Sequence, residues 1–458
     1  MSNYNNQVIY KTFYSIHTGA EKGAQSKKNR FSILFYINPV YALSMKFAHM
    51  ADCHIGAWRE PKLREANLQA FFRAVDMCIE EKVDFILIAG DLFNTAFPGI
   101  DGLKEVVLKL RELKDAGIPV YIVPGSHDFS PSGKTMLDVL ENARLFTNVF
   151  RGKAENNLLR LKFTEDKKTG AKITGILGRR GLLEQSYYEN LDRKSLEEES
   201  GFKIFMFHSP VQELMQDGMM FDSSPVSFFP KGMNYYAGGH VHIVLSKEIK
   251  EYGTFAYPGP LFPNSFSEME ALQNGGFYIV EEKDGKLKER YCPIIIYNVF
   301  PIAVNCEGKS AEEARALILK QGEGREFINT IVLIRMYGKL STGKSSDINF
   351  SEIFSSFYSK GAFFVMKNTN ALKSDEFEEV TSSAESVEKI EEAIILENAG
   401  KLCFGGISEE QSKLFLKSLL PALALERKEG ERVSDFELRV KDDFKRVLKE
   451  CYGRDEKE

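Results

Sequence analysis

The stretch Phe85-Ile86-Leu87-Ile88-Ala89-Gly90-Asp91-Leu92-Phe93-Asn94 constrains this chain most. Consecutive apolar residues closed by a glycine read as a strand buried on both faces, the mark of a sheet covered on each side. At its carboxyl end stands one acid, Asp91, after a glycine that lets the backbone turn sharply. In open α/β sheets that edge is where ligands and catalytic groups gather.

The construction recurs. Strand-like runs at 46–50, 120–123, 203–207 and 235–239 lead to Asp52 and His54, to Ser126, His127 and Asp128, to His208, and to His240 and His242. Of seven histidines in the chain, five stand in these motifs. A lone histidine is ordinarily a satisfied core residue; this many at strand ends, most beside glycine or an acid, form a site. Aspartate and histidine without cysteine make a hard-to-borderline donor set suited to Mn2+, Fe2+ or Zn2+. Asp52, His54, Asp91, His208, His240 and His242 suffice for two ions sharing a carboxylate, and paired ions serve displacement at phosphorus.

The 458 residues allow roughly two to three domains, each able to bury a core. A net charge of −5 gives no overall basic excess, so nucleic-acid contact has to come from a local patch. Six scattered cysteines without a close pair argue against a disulfide scaffold and a cysteine zinc site, and for a reducing compartment.

Residues 1–44 hold a basic stretch and an apolar run too short for a membrane span, and read as an extension outside the fold. From 45 to 300, strands alternate with helices over 65–81, over 101–116 and from near Ser132, which implies a parallel or mixed sheet. Leu103, Val106, Val107, Leu110 and Leu113, with Met136, Leu137 and Leu140, read as an apolar surplus and hence as a homodimer face. Residues 301–372 form a small α+β unit, with helices at 311–321 and 350–357 and strands at 330–337 and 362–367. An acid-rich linker, 373–407, leads to a helical segment, 408–458, with the capping-box pairs Ser408/Gln411 and Ser434/Glu437. In the last helix Phe436, Val440, Phe444, Val447 and Leu448 form one stripe that two short helices cannot bury on each other, so a partner surface is expected.

The strings HMADCHIGAW, GDLFNTA, PGSHDFSPSGKTM, GHVHIV and YPGPLF resemble the calcineurin-like metallophosphoesterases, and among them the archaeal-type nucleases of DNA double-strand-break repair, the meiotic-recombination-eleven type. The resemblance spans about residues 45–370. It implies an α/β metallophosphoesterase core, a helix-flanked β-sandwich, with a small α+β capping domain that binds DNA. It implies that the C-terminal helices bind an SMC-like coiled-coil ATPase of the Rad-fifty type. The activity it implies is that of an exonuclease and endonuclease with two Mn2+ per subunit, acting on DNA ends as a homodimer. Its setting would be cytoplasmic and nucleoid-associated, with no membrane partner. Carried over residue by residue, Asp52, His54 and His242 hold one ion, His208 and His240 the other, and Asp91 bridges. His127 would be the acid or charge stabiliser near the leaving 3′-oxygen.

Two positions depart from the family pattern. An asparagine ordinarily stands where Ser126 is and ligates through its amide oxygen; the shorter hydroxyl is a weaker donor, so the second ion is expected to be the more labile. Asn94 replaces a histidine or acid, with an amide able to orient His127. For DNA, Trp58, Arg59, Lys62 and Arg64 past the first motif, and Arg179 with Arg180, could grip phosphates near the metals.

Gly338-Lys339-Leu340-Ser341-Thr342-Gly343-Lys344-Ser345 matches the phosphate-loop pattern letter for letter. A true phosphate loop runs into a helix at its lysine, whereas Ser346-Asp347 reads as a cap that delays the helix, and the stretch is expected to be a polar hairpin. Two other functions stay open: a phosphodiesterase or phosphatase for small substrates, and a DNA-end-binding scaffold with weak catalysis, suggested by Ser126 and Asn94.

Overall fold

The structure, a computed structural model, describes residues 44–130, 133–215, 223–374 and 433–452, together with Phe415, Ser418, Leu419 and Leu425. The N-terminal extension, all but the first two residues of the acid-rich linker and the Ser408/Gln411 pair lie outside the described residues.

The chain enters through β1 (Met45–Met50), crosses by α1 (Pro61–Glu80) to β2 (Phe85–Ala89), and by α2 (Ile100–Asp115) to β3 (Val120–Val123). After α3 (Met136–Asn142) it adds β4 (Thr147–Asn148). A hairpin, β5 (Gly152–Glu155) with β6 (Leu158–Leu161), leads to β7 (Thr164–Glu165) and β8 (Lys172–Ile176). Two short helices, α4 (Gln185–Glu189) and α5 (Arg193–Glu197), precede β9 (Lys203–His208), β10 (Tyr235–Gly239), β11 (Leu245–Ile249) and β12 (Gly253–Tyr257). Then α6 (Phe266–Leu272) is followed by β13 (Gly276–Lys283) and β14 (Lys286–Pro293). The result is two six-stranded mixed sheets, ordered β14-β13-β1-β2-β3-β4 and β11-β12-β10-β9-β8-β7.

The alternation of each strand shows why the sheets lie face to face. In β2, Phe85, Leu87 and Ala89 pack against Ile204, Met206, Tyr235 and Ala237 of the second sheet. Ile86 and Ile88 of the same strand point the other way, among Phe71, Val75, Val106 and Leu110 of α1 and α2. A strand apolar at every position is thus used on both faces, and the sandwich with helices outside is the expected one. The third helix begins at Met136 rather than near Ser132, because the Thr135 side chain accepts from the Asp138 amide and Asp138 caps back, closing a capping box.

The small unit comprises β15 (Asn298–Asn305), α7 (Ala311–Gln321), β16 (Thr330–Lys339), α8 (Phe350–Ser359) and β17 (Phe364–Lys373). Its strands are ordered β15-β16-β17 and all run parallel, with a helix in each crossover. The 338–345 stretch is therefore a strand-to-helix connection and not the expected hairpin, since parallel strands cannot be joined by a tight turn. Only a single 3-10 turn, Ser345–Asp347, follows the lysine, and α8 starts later with Asn349 as its cap. One face of this sheet packs on the sandwich: Ile331 and Leu333 belong to the core of α1 and α2, and Tyr297 stacks on Phe363 with centroids 3.7 Å apart. Arg335 of β16 pairs with Glu270 of α6 at 2.6 Å and lies over the Phe266 ring.

The proposed dimer face is corrected in part. Val106, Leu110, Leu113, Leu137 and Leu140 are buried in the domain's own core, where amphipathic helices covering a sheet must put them. Ile100, Leu108 and Val139 are the apolar residues that these helices leave exposed. The last helix, α9 (Val433–Tyr452), starts one residue before Ser434; along its stripe Phe436 and Val440 are half-buried, Val447 is buried and Phe444 is partly exposed, while the Leu448 side chain lies outside the described set.

One buried polar residue ties α1 to the loop after β1. Asn67 is 1% exposed; its amide donates to the Cys53 carbonyl at 2.9 Å and accepts from the Gly56 amide. Truncation leaves both backbone groups without partners, so Asn67→Ala should lower stability by about 1–3 kcal/mol in urea unfolding. An unchanged midpoint would show that the loop does not depend on this bridge.

Candidate metal centre

Five loops converge at one edge of the sandwich. Asp52 and His54 follow β1, Asp91 follows β2, Ser126 and His127 follow β3, His208 ends β9, and His240 and His242 follow β10. Asp52, His54, Asp91, His240 and His242 all have left-handed backbones, with φ of 51°, 42°, 53°, 96° and 51°. Such conformations are uncommon outside glycine and cluster at functional sites. Gly90 is required here for a second reason: a Cβ on it would lie 2.1 Å from the His208 ring.

Three groups of donors each lie within 4.8 Å: Asp52, His54 and His242; His54, Asp91 and His127; and Asp52, Asp91 and His208. Asp91 and Asp52 link them. The His54 and His242 Nε2 atoms are 3.0 Å apart, and Asp91 Oδ2 is 3.5 Å from His54 Nε2 and 3.1 Å from His208 Nε2. Although so close to a carboxylate, the buried His208 Nε2 makes no aligned hydrogen bond. Groups crowded but misaligned in this way are aimed at a common point between them, as metal donors are. His240 lies outside the three groups, its ring 5.1 Å from that of His208. Ser126 is buried on a loop pressed against Asp91, where a Cβ on Gly125 would meet Asp91 Oδ1 at 2.1 Å. Asp52 and Asp91 with the imidazoles of His54, His208 and His242, and His240 beside them, make a donor set that fits a pair of divalent cations.

Electrostatics follow from burial. His54 and His240 are held down at about 3 and about 4 by desolvation, so both are neutral and ready to donate a lone pair. For His208, burial opposes the proton, but the Asp91 carboxylate outweighs it and pushes the imidazole up to about 10. Asp91 is held well below its usual range by His208 and His54, despite its own burial.

Residues 45–244 match the calcineurin-like phosphoesterase family. This stretch is a calcineurin-like phosphoesterase domain. The chain is similar to the DNA double-strand break repair proteins Mre11 of Methanopyrus kandleri, 32% identical over 54% of this chain and 56% of that one, and of Methanococcus maripaludis, 29% identical over 51% and 62%. It is also similar to the uncharacterised metallophosphoesterase YhaO of Bacillus subtilis, 25% identical over 54% of this chain and 60% of that one. The matched region spans little more than half the length of these relatives. The phosphoesterase match falls on the part of the chain that carries the metal donors.

The other expected site residues divide. His127 is placed beside the donors: its amide donates to Asp91 Oδ1 at 2.8 Å and its Nδ1 to the Asn94 carbonyl at 2.8 Å. Asn94 thus orients His127 through its backbone and not through the expected amide, an arrangement open to any residue type. Trp58 packs on the core and donates to the Pro263 carbonyl, and Arg64 donates to the carbonyls of Trp58 and Arg59. Lys62 donates to the Phe363 carbonyl and lies over the Phe363 and Tyr358 rings, so it fastens the small unit. Arg59 and Arg180 remain exposed.

Two acids take roles that the sequence did not assign: Asp128 was seen only as part of a strand-end motif, and Glu268 was missed. The Asp128 carboxylate accepts from the Leu92, Phe93 and Gly125 amides at 3.2, 3.1 and 3.1 Å, fixing the turn that carries Asp91; burial, and then the Asp91 charge, push it up to about 7. Glu268 of α6 stands 3.2 Å from His242 Nδ1. This contact sets the ring so that Nε2 faces Asp52 and His54, the way carboxylates behind metal-bound histidines do. Ser265-x-x-Glu268 was readable as a helix start, but nothing in it pointed to His242. Glu268→Ala should weaken binding at one of two sites about 10–100-fold in a calorimetric Mn2+ titration, with the other site kept. Two unaltered sites would remove Glu268 from the metal centre.

Proposed function

We propose that this chain is a metal-dependent DNA nuclease that hydrolyses phosphodiester bonds at DNA ends, with two Mn2+ per subunit. The observation that carries the reading is the Asp91 carboxylate, held between imidazoles from both sheets and common to two of the three donor groups. Asp52, His54 and His242 would hold one ion; His208 and His240, with Ser126 beside them, would hold the other, and Asp91 would serve both. When bound, such ions supply Lewis acidity and a water of lowered pKa for displacement at phosphorus. His127 has its Nδ1 committed to a carbonyl, which leaves Nε2 as the atom that passes a proton to the leaving oxygen. Asp128 and Glu268 hold donors in place and touch no substrate. Arg59, Arg179 and Arg180 suit the flanking phosphates, with the small parallel unit extending that surface.

Two further supports bear on assembly. Leu438 and Phe444 of α9 are exposed apolar residues, suited to a coiled-coil ATPase of the Rad-fifty type. Leu108 and Val139 leave apolar surface on α2 and α3, suited to a homodimer. The similarity to Mre11 proteins is the reason to choose DNA over a small phosphate ester.

The test is cleavage by the purified chain with Mn2+ of end-labelled single- and double-stranded DNA against p-nitrophenyl phosphate. DNA should be cut and EDTA should stop it. Asp91→Ala should abolish cutting. His127→Ala should lower the rate about 10²–10⁴-fold while Mn2+ still binds at two sites. Hydrolysis of the monoester with no cutting of DNA would overturn the reading.

A further inference from the structure

Along β1 and just past it, Met45, Phe47 and Ala51 face the second sheet in the sandwich core. His49 falls among them, on the same face by the alternation of a strand, and is wholly buried. Desolvation holds its imidazole down at about 3, so the ring is neutral, with one donor and one acceptor.

The His49 Nδ1 lies 3.0 Å from the hydroxyl of Tyr235 on β10, and the two rings meet edge-on with centroids 5.6 Å apart. The Gly238 main chain also favours a proton on this ring, as a carbonyl does. The imidazole is therefore seated between two groups of β10, accepting from Tyr235 and turning its N–H toward Gly238. Nε2 nonetheless makes no aligned hydrogen bond. A leucine would fill this space without desolvating a polar atom, and a buried polar atom left short of partners calls for a reason beyond packing.

The end of β10 supplies that reason. The strand closes on Gly238 and Gly239, directly before His240 and His242. Neither glycine has room for a side chain: a Cβ on Gly238 would lie 2.5 Å from the Phe207 ring, and one on Gly239 2.1 Å from the Ala89 carbonyl oxygen. This end of the strand lies close against the first sheet with no side chain of its own to fix it, and glycine-rich strands specify their register weakly. Its position matters, because the His240 amide donates to both Asp52 carboxylate oxygens, at 2.9 and 3.1 Å. A slip of β10 would displace a donor that follows β1.

We infer that His49 and Tyr235 are positioning residues for the metal centre: their contact sets where the end of β10 stops against β1, and so where His242 meets Asp52 and His54. The inference rests on the two-ion reading and adds to it a support that touches neither ion nor substrate. The ion it governs is the one assigned to Asp52, His54 and His242.

The experiment titrates Mn2+ into the metal-free full-length chain by calorimetry, with free Mn2+ read from its electron paramagnetic resonance spectrum and stability from urea unfolding of the metal-free form. Tyr235→Phe removes one oxygen and keeps the ring; affinity at one of two sites should fall about tenfold, the size seen when a support behind a metal ligand is lost. His49→Leu should weaken the same site, and the double variant should bind no worse than His49→Leu alone, because the two residues share one contact. His49→Gln, whose amide offers a donor and an acceptor, should restore most of what His49→Leu loses. Tyr235→Phe decides the matter even where His49→Leu fails to fold. Unaltered affinities at both sites in Tyr235→Phe, whatever its urea midpoint, would overturn the inference and leave the pair a feature of the core. A wild-type chain that takes up no Mn2+ would instead defeat the two-ion reading, and the inference with it.

Discussion

The contact on which this structure depends is that between Asp91 and His208, 3.1 Å apart and both nearly devoid of solvent. It joins the end of β2 in one sheet to the end of β9 in the other. His208 Nδ1 donates to the Ala89 carbonyl at 2.8 Å, so the ring is fixed before any metal arrives and Nε2 can face only the carboxylate. Burying a carboxylate without a partner is expensive, and removing one member of such a pair commonly costs about 3–5 kcal/mol. Loss of Asp91 is therefore a change to the interior of the sandwich as well as to its chemistry. Mn2+ binding and thermal unfolding are both informative readouts for it.

The strained turns around that contact are sustained by backbone pairing. Beyond the ends of β1 and β2 the ladder continues: the Asp52 amide donates to the Gly90 carbonyl at 3.1 Å, His54 to Asp91 at 2.9 Å and Ile55 to Leu92 at 3.1 Å. Left-handed residues cost of order 1–3 kcal/mol each and persist where their surroundings over-determine them. Here the over-determination is visible, because Asp128 takes up two amides of the Asp91 turn and the Gly125 amide of the loop after β3, and the His240 amide donates to Asp52 at 2.9 Å. The donors are positioned by main chain, which holds geometry better than side-chain rotamers do.

Most of the centre was legible because its donors sit at the ends of strands that are buried on both faces, and such strands announce themselves as unbroken apolar runs. The residues next in the chain then had to occupy one sheet edge. Glu268 was not legible because it reaches His242 from a separate helix, and local sequence carries no record of that meeting. Asn94 misled for the opposite reason: its side chain invited a role that its carbonyl performs. The apolar faces of α2 and α3 were over-read as a dimer surface, since a pattern of period 3.6 marks burial without saying whether the covering layer is the same chain. The connection at 338–345 was misjudged as a hairpin although strands and helices alternated around it, and that alternation was the stronger signal for a parallel sheet.

The helix α6 has two commitments. Glu268 reaches His242 of the metal centre, and two residues on Glu270 pairs with Arg335 of the small unit. The ion pair is about 28% exposed on each side, and such pairs contribute roughly 0–1 kcal/mol. It cannot be what holds the small unit in place. The apolar contacts are the larger effect: Ile331 and Leu333 are fully buried against the sandwich, and burying a side chain of this kind is worth about 1.5–3 kcal/mol. Packing thus fixes where the small unit sits, and Arg335 adds a polar contact to α6. The seven residues of α6 thus meet both the His242 imidazole and the small unit. The small unit and the metal centre share α6 as a common neighbour.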